Sequence, residues 1–144
     1  MGHRVLDLPP EWAFALVTAV RHHGRWIPAT RVDAPARPLE VGDVVVGRTA
    51  GVLVDRMRVT HVDPPHELRL VKVGPVLLGE VAIVVAPAGP GRARVRWTED
   101  VYVRGPLPRR LTATLVHPML TAMTTLALWR MDRAVRRRRQ QLAA

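Results

Sequence analysis

From Val44 to Val103 apolar and polar residues alternate in short runs, and Gly and Pro punctuate the runs. This pattern predicts antiparallel strands joined by tight turns. The runs are Val44 to Ala50, Leu53 to Val62, Glu67 to Val73, Val76 to Ala86 and Arg92 to Val103. Gly51, Asp63-Pro64-Pro65-His66, Gly74-Pro75 and Pro87 to Gly91 are the turn signals between them. Connections this short make a meander, because a parallel pair needs a crossover of a dozen residues or more.

Helical spacing appears on both sides of the meander. His3 to Leu6 reads as a short first strand, and Pro10 with Glu11 suits the first turn of a helix that runs to His22. Trp12, Ala15, Leu16, Ala19 and Val20 recur at helical spacing there, and Gly24 stops the helix. An irregular or extended segment leads to Asp33. After Gly105-Pro106-Leu107-Pro108 a long helix is predicted over Arg110 to Leu142. Leu111, Leu115, Met119, Met123, Leu126, Arg130 and Ala134 form its expected apolar stripe and polar end. Pro118 must kink this helix or mark its true start, since it has no N–H for the preceding turn. A helix, a curved sheet and a long closing helix, in that order, can wrap a sheet around one helix and leave a cavity between them. The predicted fold class is α+β, with one domain over residues 1–144 and a basic helix end from 130.

Composition narrows the chemistry. There is no Cys, which excludes disulfides, thiolate zinc sites and cysteine nucleophiles and fits a cytoplasmic protein. No secretory signal is convincing at Trp12 to Val20, and Met119 to Trp129 is short for a membrane span. The formal net charge is +10, and all but one of the 22 basic residues are Arg, the exception being Lys72. The Arg residues are scattered, except for the cluster Arg130 to Arg139. A solvated helix end, with at most weak binding to an anionic surface, is the plainer reading of that cluster, and a function in binding nucleic acid or an anionic membrane through it is an alternative. Specific nucleic-acid binding is not expected, because no basic-aromatic stripe is present to stack bases. His22 and His23 are adjacent and diverge on a helix, so no metal spacing exists, and no phosphate loop is present. No cofactor is expected.

Alternation assigns strand faces. Val95, Trp97, Glu99, Val101 and Val103 share one face of the last strand. Leu53, Asp55, Met57, Val59 and His61 share one in the second, and Leu68, Leu70 and Lys72 one in the third. Glu99 is the one carboxylate on the apolar face of its strand, where burial would raise its pKa unless it is paired. Lys72 points inward on this reading and has Glu80 or Glu99 as partner. The expected lining of a ligand cavity is Met57, Val59, Leu70, Val95, Trp97, Met119, Met123 and Leu126. Glu99, Asp55 and His61 could form an acid/base set if they converge. The plainer reading of each is a salt-bridged or strand-end residue, and plain core packing is the plainer reading of the methionines.

Several stretches resemble the START-like, or SRPBCC, superfamily and its polyketide cyclase/dehydrase branch. They are His23 to Thr30, Val41-Gly42-Asp43-Val44, the strand Asp55 to Val62 with its Pro64-Pro65 turn, Gly79 to Ile83, and Arg94 to Asp100. The sequence departs from the family in marking the first strand, and the break between two short N-terminal helices, only weakly. The resemblance implies a helix-grip fold, a curved antiparallel sheet around a long C-terminal helix. It also implies a cavity for a lipid, a polyketide or another hydrophobic small molecule. Only some members of that superfamily are enzymes, so a polyketide cyclase or dehydratase is the alternative function.

Overall fold

In the computed structural model, which describes residues 2–144, one seven-stranded antiparallel sheet curls around a long helix. The strands are β1 (Gly2–Leu6), β2 (Thr30–Asp33), β3 (Val44–Thr49), β4 (Leu53–Asp63), β5 (Glu67–Pro75), β6 (Leu77–Pro87) and β7 (Ala93–Val103). The helices are α1 (Pro10–Thr18), a 3-10 helix (Val20–Arg25) and α2 (Arg109–Ala143). Strand order is β1-β7-β6-β5-β4-β3-β2. β2 to β7 therefore form a continuous meander, and β1 returns to pair with β7, Leu6 opposite Ala93. This is the expected helix-grip architecture. Gly79 helps the sheet curl. Its φ is +133°, and a Cβ there would stand 2.0 Å from the carbonyl oxygen of Asp100, so only glycine fits between β5 and β7.

The N-terminal helix is shorter than its spacing suggests, and it buries a different face. Ala19 leaves the helical region at ψ 67°, and the chain resumes as a 3-10 helix. Thr18 Oγ1 donates to the Phe14 carbonyl at 2.6 Å in this last turn. Ala13, Phe14, Val17 and Val20 are buried, whereas Trp12 is 70% exposed. A segment that is apolar nearly all round offers several stripes of equal period, and only the sheet it meets chooses among them.

α2 departs from its expected stripe in the same way. Leu111, Leu115 and Met119 are exposed, while Thr112, Leu120, Thr124, Leu128, Met131 and Asp132 are buried. The buried polar residues are satisfied, which is why they can face inward. Thr112 Oγ1 donates to the Arg109 carbonyl and accepts from the Val103 N–H at 3.2 Å. Thr124 Oγ1 donates to the Thr121 carbonyl, and Gly2 lets β1 approach this turn, since a Cβ there would meet Thr124 at 2.9 Å. Asp132 receives Arg4 Nε at 2.7 Å and Arg136 Nε at 2.9 Å. Burial alone would raise its pKa, but the two guanidiniums prevail and hold its carboxyl below the usual range. The helix runs unbroken through Pro118. Pro118 and Thr114 are both exposed, so water can reach the carbonyl that loses its partner.

Candidate functional site

α2 packs across β1 and β7, and α1 across β6 and β7. The main contacts of both helices fall short of β3 to β5. The 3-10 helix, the Ile27-Pro28 corner and one flank of α2 close over that gap and leave a cavity of about 330 Å³. Its walls are mostly apolar. Of the residues expected to line a cavity, Met57, Leu70, Trp97, Met119, Met123 and Leu126 do so. Val59 and Val95 do not. They share faces with Met57 and Trp97, but one repeat further along, where they are fully packed in the core.

Three charged side chains meet on the cavity wall. Lys72 Nζ donates to Asp55 Oδ2 in a short hydrogen bond and lies 3.8 Å from Glu99 Oε2. The side chains of Lys72 and Glu99 are each 5% exposed and that of Asp55 14%. Lys72 pairs in register with Gly79, which puts no side chain between β5 and Glu99 on β7. Of the two partners expected for Lys72, Glu99 is beside it and Glu80 faces out, while its main partner is Asp55. Burial raises the Glu99 pKa, Lys72 pulls it back in part, and Asp55 pushes it up again. One cation between two carboxylates is neutral when Glu99 holds a proton, the form a low-dielectric wall favours. Asp55 Oδ1, Glu99 Oε2 and Trp97 Nε1 are buried with no hydrogen-bond partner among the described residues. The indole N–H of Trp97 favours the Glu99 carboxylate slightly without closing a hydrogen bond to it.

His61 does not join this set. The register between β4 and β5 slips between Val59 and His61, so that Val59 faces Leu70, His61 faces Arg69 and Val62 faces Leu68. A bulge adds one residue and turns every later side chain over. Val62 thus packs inward, and His61 is half-exposed, 3.7 Å from Glu67. Alternation counted from Leu53 carries no mark of this slip.

The cavity's histidine is His23. Its Nε2 donates to the Val17 carbonyl at 2.9 Å, so the other ring nitrogen, Nδ1, is an acceptor. The ring lies tilted against Trp97, at 42° between planes and with centroids 5.0 Å apart. Burial lowers its pKa to about 4, against the Val17 hydrogen bond and with help from His22. His23 is invisible to a reading that extends α1 to His22. In a 3-10 helix, residues three apart eclipse, which places His23 in line with buried Val20.

This geometry has known counterparts. The chain matches, over residues 2–136, the family described as "Polyketide cyclase / dehydrase and lipid transport". A comparison with curated proteins found no match. Among solved structures, it is similar to a START superfamily protein from Mycobacterium smegmatis, at 16% identity and TM-score 0.72, covering 92% of this chain and 95% of that one. It is also similar to the Zhui aromatase/cyclase from Streptomyces sp. R1128, at 14% identity and TM-score 0.68, with 92% of each chain covered. A third is the Aha1 dimer from Colwellia psychrerythraea, at 14% identity and TM-score 0.61, again with 92% of each chain covered. At such identities the structures establish the fold alone, whereas the family match spans nearly the whole sequence. The chain belongs to the polyketide cyclase/dehydrase and lipid transport family and has the START-like helix-grip fold.

Proposed function

We propose that this protein binds a hydrophobic small molecule carrying at least one polar oxygen, of lipid or polyketide type, in the cavity beneath α2. One observation carries the reading: an apolar cavity of about 330 Å³ whose wall holds buried polar atoms without partners among the described residues. Pockets of this kind bind through apolar contact and use a few polar groups for orientation. A ligand carbonyl or hydroxyl beside Glu99 and Trp97 would give these atoms a partner. Met123 stands on the α2 flank of the cavity. Met123→Trp is expected to fill the space and abolish uptake of an environment-sensitive apolar dye. Unchanged dye binding by the folded variant would remove the cavity from consideration.

The raised pKa of Glu99 favours a second reading, in which the same site catalyses cyclisation or dehydration of a poly-β-ketone. A carboxyl group whose pKa is raised can deliver its proton to a carbonyl or hydroxyl oxygen and, once ionised, take one from an adjacent carbon. Lys72 and Asp55 would steady the charge as the proton moves. Glu99→Gln preserves shape and removes the titrating group. It should lower turnover on the order of 10²-fold while ligand affinity stays within a few-fold. Absence of turnover in the parent protein with every poly-β-ketone tried, alongside intact binding, would leave the carrier or sensor reading standing.

A further inference from the structure

We propose that the outer face of α2 docks on an anionic phospholipid bilayer, with its apolar half in the acyl boundary and its Arg/Trp end on the headgroups. The observation behind it is the stripe that the fold turned outward. Leu111, Leu115 and Met119 are 47%, 66% and 55% exposed, and Trp129 is 39% exposed. At 100° per residue, Leu111, Leu115, Ala122, Trp129 and Arg133 fall within an arc of roughly 40°. The apolar part is about 27 Å long at 1.5 Å per residue. By length and composition α2 is apolar enough to cross a membrane, yet only 28% of its most apolar window is buried. Its inner face is taken by the sheet, so the free apolar surface is a face to lie on a membrane rather than a span through one.

Charge selects the occupant. Arg130, Arg133 and Arg137, with Arg25, Trp26 and Trp129, line an open cleft at the far end of the stripe. The Arg133 guanidinium lies 4.9 Å over the Trp129 ring, and Arg130 donates to the Trp26 carbonyl. No carboxylate pairs with these four guanidiniums among the described residues. The one acid on α2, Asp132, is turned toward Arg4 of β1. Trp at the headgroup level and Arg reaching to phosphate, beside an apolar strip, are the marks of an interfacial helix. A second copy of the chain fits poorly. Antiparallel pairing would bury guanidiniums against leucines, and parallel pairing would set Arg against Arg. Duplex DNA would use the Arg residues but leave the stripe in water. Met119, Ala122 and Leu126 belong both to this flank and to the cavity wall. A docked protein would therefore present the cavity to the bilayer, although the docking itself does not depend on what the cavity holds.

The test is co-sedimentation with vesicles of phosphatidylcholine alone and of phosphatidylcholine mixed with phosphatidylglycerol. The parent protein should bind the mixed vesicles and bind the neutral ones much more weakly. Leu111→Asp/Leu115→Asp should weaken binding by at least tenfold, given the transfer energy of an exposed leucine. Arg133→Glu and Arg137→Glu should each weaken it about fivefold or more. Neither leucine lines the cavity, so the leucine variant should take up apolar dye as the parent does, which separates failure of docking from failure of the cavity reading. Three results would overturn the proposal: leucine variants that bind mixed vesicles like the parent, tighter binding to duplex DNA than to mixed vesicles at equal salt, or a dimer of the parent that the leucine variant dissolves.

Discussion

Lys72→Met is expected to destabilise the protein by about 3–5 kcal/mol, because it removes the cation paired with two carboxylates beside an apolar cavity. Among the described residues, Lys72 is the one cation paired with both Asp55 and Glu99. Asp55 keeps some contact with solvent, so the lower end of the range applies. The stem of Met replaces that of Lys, and loss of packing is therefore small. Urea denaturation at neutral pH provides the measurement. Adding Asp55→Asn to the Lys72→Met variant should restore most of the lost stability, since Glu99 can then stay protonated without a charged neighbour. A loss below about 1 kcal/mol for Lys72→Met would show that the trio is solvated and behaves like a surface pair.

His23 should give the protein an acid-side stability limit. Its folded pKa is about 4, below the 6.5 of the free side chain. Between those values the unfolded chain binds the proton more readily, so stability rises with pH across that window. The contribution is complete above pH 6.5 and is lost as pH falls through about 4. A shift of this size corresponds to about 3 kcal/mol. Glu99 works in the opposite sense. Its raised pKa means that its share is present in acid and lost as pH rises through the folded value. His23→Gln keeps a donor for the Val17 carbonyl and does not titrate. The stability difference between parent and His23→Gln should thus shrink by about 3 kcal/mol from pH 7 to pH 4. A difference that stays constant over that range would mean that the ring is open to water.

Much of the site follows from a pleat that repeats every two residues. Val95, Trp97, Glu99 and Val101 share a face in β7 because nothing interrupts pairing with β6. Lys72 and Glu99 therefore point inward as alternation requires. β4 does not obey the same count. Its register slips twice against β5, and the second slip moves His61 out and Val62 in. Both bulges depend on which residue of the partner strand each amide reaches, and such long-range pairing is not written in the local pattern.

The helices divide in the same way. Their existence, the order of elements and the turns at Gly and Pro are local properties, and the sequence by itself determined them along with the helix-grip fold and the inward carboxylate. Which face of each helix is buried is not local. Thr112 and Thr124 face the sheet because their hydroxyls find backbone partners, and the leucines at 111 and 115 are left outside. The 3-10 turn that carries His23 to Trp97 is set by what packs beneath it. Only the tertiary structure decided these, because burial is a property of two surfaces and each helix, being apolar on more than one side, offers a choice that its partner must make.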